Sequence, residues 1–201
     1  MKVPLWICVI IAIGCGGLGF LGGVFSTKAA RDFFTDLSKV EGPAEVKNPR
    51  KLKTDFYELS YPRNWRLDED DPDFDLENYF MIESLDSCFV SVSFNHFEED
   101  LDESLQYHVE EYEDMMRNPK ITEFTKYGSL EGKGKRIEGK AYGIGMVVDV
   151  FTAVQNGMTL SVVEWLYVED AKDVLPGFEL IESSFKLMEE ASIEAPSKEE
   201  E

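Results

Sequence analysis

The chain has 201 residues, 40 of them acidic and 20 basic, and a formal net charge of −20 at pH 7. Such a surface repels anionic lipid and nucleic-acid phosphates, and it excludes nucleic acid as a partner. Aromatic residues make up 12% of the chain, too many for a disordered acidic polymer, so a folded domain is expected.

Residues 3–25 carry no charge, and this run of 23 residues is longer than the about 20 that cross a bilayer as a helix. Residues 1–27 are therefore expected to be an N-terminal transmembrane helix acting as a signal-anchor. A cleavable signal peptide, with an apolar stretch of only about 7–15 residues, is one alternative. Lipidation at Cys15 is another, although Ala12 stands where lipoproteins usually carry Leu and residues 16–25 stay apolar. Ala12, Gly16, Gly19 and Gly23 share one helical face, and Gly19 and Gly23 form a G-x-x-x-G pair. That face is the candidate for a homodimer through the anchor; the competing reading is a glycine-rich membrane helix that does not pair. Lys2 and the terminal amine nearly balance Lys28 and Arg31 across the run. A short N-terminus before a long domain leads to a single-pass topology with the domain on the extracytoplasmic side.

Residues 28–52 read as a juxtamembrane helix and a linker. Phe33, Phe34 and Leu37 fall on one side of the helix, and Gly42, Pro43 and Pro49 break it. Lys47, Arg50, Lys51 and Lys53 form a basic cluster, set either near the membrane surface or back on the protein.

Residues 53–188 read as one globular domain. Alternation in 56–61 predicts a strand stopped by Pro62, and Trp65 opens a second. Residues 68–78 form an acidic loop, followed by a strand pair at 79–84 and 88–97. Leu101, Leu105, Val109, Tyr112 and Met116 recur at helical spacing, so a helix is expected over 101–118, ended by Pro119. Strands are expected at 121–127, 134–142, 145–155 and 158–167, with Asn156-Gly157 as a two-residue hairpin turn. A short helical piece at 171–175, interrupted by Pro176 and Gly177, should lead into a helix over 177–188. The tail, 189–201, is polar and acidic and is expected to be disordered.

Signals for chemistry are few. Asp71, Asp73, Asp75 and Glu77 alternate like a calcium loop, but Leu76 and Ile82 stand where an EF-hand needs Gly and Glu. A solvated acidic loop is the simpler reading, with a looser Ca²⁺ site as the alternative. Cys88 is the only thiol after the apolar run and reads as a buried hydrophobe. Ser93, Cys88, His96 and His108 supply the parts of a hydrolase site, without the sequence context such a site has. No Cys/His set has zinc spacing, and no cofactor is expected. Lys126, Lys133, Lys135, Arg136 and Lys140 are the candidate interaction surface: they bind an acidic partner or pair with the domain's own acids.

Tyr61-Pro62-Arg63-Asn64-Trp65 resembles the Y-P-x-x-W signature that opens PsbP-like domains. The long hairpin around Asn156-Gly157 and the closing Ile181-Glu182-Ser183-Ser184-Phe185 are similar to later features of that family. The resemblance implies an α+β fold, a PsbP-like α/β/α sandwich with an antiparallel sheet flanked by helices. It further implies a domain that docks on other proteins and carries no catalytic motif. A membrane-anchored, non-enzymatic interaction or assembly domain with a protein partner is the expected function. A ligand- or metal-sensing envelope module is the alternative, with a hydrolase behind it.

Overall fold

The computed structural model describes residues 40–188. The anchor with Ala12, Gly16, Gly19 and Gly23, the helix expected at 28–39 and the tail 189–201 lie outside the described residues. Among the described residues, no helix is long and apolar enough to cross a membrane.

Two antiparallel sheets and two helices make up the body. The small sheet has the order β1-β2-β10, from Arg50–Lys53, Tyr57–Tyr61 and Lys186–Leu187. The large sheet has the order β3-β4-β5-β9-β8-β7-β6. Its strands are β3 Arg66–Leu67, β4 Tyr79–Glu83, β5 Phe89–Asn95, β6 Arg117–Tyr127, β7 Leu130–Ala141, β8 Ile144–Gln155 and β9 Met158–Tyr167. Helix α1, Leu101–Met115, packs on β7, β8 and β9. Helix α2, Ala171–Ser184, packs on β2 and β9.

The core lies in two clusters, one on each face of the large sheet. On the α1 face, Leu105 and Val109 meet Ile137, Val148, Val150 and Val163. On the other face, Val90, Val92, Leu160 and Val162 meet Tyr57, Leu59, Phe178, Ile181 and Phe185 from the small sheet and α2. Covering both faces buries every residue of β9 from Thr159 to Glu164, so polar and apolar positions alike are inside.

The hairpin turn at Asn156-Gly157 forms with φ of 53° and 76°, the left-handed pair a tight turn needs. Tyr142-Gly143, at 53° and 88°, turns β7 into β8 in the same way. Three expectations are corrected. Helix α1 ends at Met115, and the chain enters β6 at Arg117, so Pro119 lies in an edge strand, where no ladder hydrogen bond is asked of it. The cause is Met116, which turns extended and buries its side chain against Gly139. Pro176 and Gly177 do not interrupt a helix but lie within the single α2, which stops at Ser184. Lys186 and Leu187 are then strand β10 on β2, not helix.

The Y-P-x-x-W stretch and the Pro-Gly pair meet in space. Trp65 is 1% exposed and sits edge-on to Phe178, at 5.6 Å and 82°. A Cβ on Gly177 would lie 2.4 Å from the Trp65 ring and 2.8 Å from Pro62. Glycine is thus what lets α2 close on the indole. The Ser-Phe pair at the end of α2 also has a task. Ser184 Oγ accepts the Ser60 N–H at 2.8 Å, while Phe185 stacks with Tyr57 at 5.9 Å. The chain is fastened to this body from Val40, which is 1% exposed. Asn64 ties residues 41–45 down by donating to Glu41 and Pro43 carbonyls and accepting the Glu45 N–H.

Candidate functional site

Helix α1 packs on β7, β8 and β9, and its first turns pass beside the end of β5. Val90, Val92 and Phe94 point into the other face, so Ser91 and Ser93 alternate toward α1. Between Ser93 and the first turns of α1 lies a cavity of about 540 Å³, lined also by Asn95, Glu99, Asp100, Glu103, Tyr107 and His108.

The lining is held by both ends of the loop 95–100. Thr159 of β9 is buried; its Oγ1 accepts the Glu99 N–H at 2.9 Å and donates to the Phe97 carbonyl at 3.0 Å. Asn95 donates to Glu99 Oε1 at 2.9 Å. Asp100 caps α1, accepting the N–H groups of Asp102 and Glu103 at 2.8 and 3.2 Å. Asp102 and Glu103 in the first turn suit the positive end of the helix dipole. The Glu103 carboxylate has no hydrogen bond or ion pair among the described residues.

His108, two turns along α1, is held below the ordinary imidazole range, first by burial and against the upward pull of Glu111 and Glu99. It is neutral at pH 7. Tyr107 is 74% exposed and stands edge-on to His108, and Phe97, in the loop forming one wall, is 60% exposed. The arrangement is a carboxylate-lined recess with the bare ring of Tyr107 at its margin. It suits an ammonium or guanidinium group with an apolar stem.

The parts of a hydrolase site do not assemble. Ser93 and His108 line the same cavity, but no hydrogen bond joins them. Cys88 is fully buried in the opposite core cluster, where its Sγ accepts the Tyr167 N–H at 3.4 Å. His96 packs edge-on to Phe56 at 5.8 Å. In the acidic loop, Asp71 and Asp75 accept N–H groups of their own loop, from Asp73 and Glu77, both at 2.9 Å. Among the described residues, no group of three or more His, Cys, Asp or Glu could hold a metal ion.

The five cations of the candidate surface are spread over both faces of β7 and over β6. Lys133 and Lys135 point to α1, pairing with Asp102 at 2.7 Å and Gln106 at 3.1 Å. Arg136 is on the opposite face, forked onto Asp149 of β8. Lys126 pairs with Glu131 at 3.2 Å, and Lys140 lies across from Arg117. Four of the five are engaged within the domain, and they do not form one patch.

Arg136, Asp149 and Glu164 form a row across β7, β8 and β9, under Tyr127. Tyr127 donates to Glu164 Oε1 at 2.9 Å. Burial foremost, then the Asp149 charge, pushes the Glu164 carboxyl up to about 8, against the Tyr127 hydrogen bond and Arg136. Sequence reading missed both this row and the acidic cavity. The only signals were Glu164 inside an otherwise apolar strand and serines at alternate positions of β5.

No protein-family model and no curated protein matches the chain. Solved structures do. A cyanobacterial PsbP, CyanoP of Synechocystis, has 13% identity, covering 70% of this chain and 92% of that one, with a TM-score of 0.43. The likeness is to PsbP-like proteins. The Ran-binding protein Mog1p of Saccharomyces cerevisiae has 11% identity over 70% of this chain and 95% of its own, with a TM-score of 0.46. LpqN of Mycobacterium tuberculosis, involved in cell envelope biogenesis, has 12% identity over 71% and 91%, with a TM-score of 0.44. A Bacteroides thetaiotaomicron protein has 13% identity and a TM-score of 0.41, and this chain spans only 46% of its length.

Proposed function

We propose that this chain is a membrane-anchored, non-enzymatic domain that binds a partner protein, and that the α1–β5 cavity takes a basic side chain of that partner. The observation that carries the reading is the pairing of an unengaged Glu103 with the exposed ring of Tyr107 in one cavity. Aromatic anchors beside a recess are what concentrate binding energy at protein interfaces. The sandwich is of the PsbP-like kind, and the reading places residues 1–27 in the membrane as a single-pass anchor. The domain then faces the extracytoplasmic side, as a very short N-terminus ahead of a long domain favours when the flanking charges nearly cancel.

The test is crosslinking in intact membranes, followed by mass spectrometry of co-purified proteins, with the native chain and with Glu99→Lys plus Glu103→Lys. The native chain is expected to retain a reproducible membrane or envelope protein that the double variant loses. Identical partners from both chains rule the cavity out. A small cationic ligand is the second reading, favoured by a volume within the about 300–1,000 Å³ of ligand pockets. Thermal shift of the chain with small amines, in the absence of any partner protein, separates the two.

A further inference from the structure

The cations at the entrance of the body behave differently from those of β6 and β7. Lys47, Arg50, Lys51 and Arg63 are exposed, and none has an ion pair among the described residues. Lys53 reaches Glu58 only at 3.6 Å. They are gathered by structure as well as sequence. Arg50–Lys53 is the free edge of the small sheet, and the Arg63 N–H donates to the Glu45 carbonyl at 3.1 Å, which brings Arg63 beside residues 44–48. Lys47, Asn48 and Arg63 line a shallow recess of about 390 Å³ with Ala44, Glu45 and Val46, and Val46 is 36% exposed. Glu41, Glu45, Asp55 and Glu58 are the acids between residues 41 and 63. The five cations outnumber them.

We propose that this edge lies on a membrane, with Lys47, Arg63 and, from the two sides of β1, Arg50 and Lys51 contacting the phosphates of anionic phospholipids and Val46 at the headgroup level. Charge complementarity selects this occupant, and position supports it. The sequence reaches this face only 21 residues after the uncharged run ends at Phe25. The net charge of −20 opposes contact by the surface as a whole, but salt screens charges beyond about 8 Å, so only the nearest face counts. The same acids then turn the domain: an anionic surface draws this edge and pushes the remainder away. The proposal rests on the anchored reading for proximity alone.

The test uses the full chain with vesicles of neutral phosphatidylcholine, with and without phosphatidylglycerol, read by flotation and by amide hydrogen exchange. If the chain floats with both, the anchor holds it, and exchange decides. Amides of residues 46–53 and 63 are expected to slow about tenfold in the anionic vesicles alone, and to lose that protection in high salt. Lys47→Glu with Arg50→Glu, Lys51→Glu and Arg63→Glu should abolish it, whereas Lys120→Glu with Lys133→Glu should leave it. Unchanged exchange in α1 reports that each variant folds. Equal exchange in both vesicles overturns the proposal. If the chain floats only with anionic vesicles, the anchored reading fails and this face stands. Flotation with neither overturns both.

Discussion

The two faces of the large sheet are built from the same strands and do opposite things. The face under α2 and the small sheet is closed by rings: Tyr57 stacks on Phe80 at 5.3 Å and on Phe94 at 5.0 Å, and Trp65 fills the end against Phe178. The face under α1 is closed along β7 to β9, where Tyr112 stands edge-on to Trp165 at 5.6 Å, and at the start of β5, where Phe89 stacks on Trp165 at 5.8 Å. Further along β5 the same alternation that sends Val90, Val92 and Phe94 inward on one face leaves Ser91 and Ser93 on the other. Both faces hold a core cluster, but only the α1 face also carries a recess lined by polar groups and by the exposed ring of Tyr107. Substitutions should separate the two, as large losses of stability on the first and losses of binding alone at the recess.

The largest effect is expected at Trp65. Trp65→Ala removes the indole from a closed site and should destabilise by about 3–5 kcal/mol in chemical denaturation. Gly177→Ala drives a methyl into the same indole and should cost about 1–3 kcal/mol. A loss below 0.5 kcal/mol in either would mean that this end of the core is not closed as described.

Glu164 is the weak point of the closed face, and its effect depends on pH. Its folded carboxyl titrates near 8, above its ordinary 4.5. The folded state therefore binds the proton more tightly than the unfolded chain does. Its contribution is fully present below pH 4.5 and is lost as pH rises through about 8. Glu164→Gln keeps an acceptor for Tyr127 but cannot ionise. At pH 9 the variant should exceed the native chain in stability by on the order of 5 kcal/mol, falling to about 1 kcal/mol at pH 5. Denaturation at the two pH values measures this directly, and parallel curves would show that Glu164 ionises freely in the folded protein.

Most of the fold is legible in the sequence, because it rests on local signals. The Asn156-Gly157 turn, the period of Leu105 and Val109 and the stop at Pro62 each act within a few residues. What is not legible depends on distant contacts. Pro176 and Gly177 look like a helix break until Trp65 is known to need the space that Gly177 leaves. Residues 40–52 look like linker, since nothing local shows Val40 buried or Leu52 opposite Leu59. The basic residues of β6 and β7 look like a surface because their acids, Asp102, Asp149 and Glu131, are placed by folding. The cavity could not be read at all, since β5, the 95–100 loop and α1 come together around it only on folding.

At the recess, stability effects shrink. Asp100→Ala removes the cap of α1 and should cost about 1 kcal/mol, with Asp100→Asn recovering most of it. That outcome would mark Asp100 as a structural part of the cavity wall. A loss that Asn does not recover would instead mean that its charge is needed there.

Glu103 and Tyr107 should then show the reverse balance. Neither supports the core, so Glu103→Lys and Tyr107→Ala should each change stability by less than about 0.5 kcal/mol. Either should weaken binding of the basic partner by about thirtyfold or more, as loss of an interface anchor does. The smallest effect concerns His108. Neutral at pH 7, it gains a proton only below the ordinary imidazole range, and that proton adds positive charge to a cavity that holds a cation. Partner binding should therefore weaken on acidification through this range, and His108→Gln should flatten that part of the profile. A profile unchanged by His108→Gln would place the bound cation away from the imidazole, toward Asp100 and the helix start.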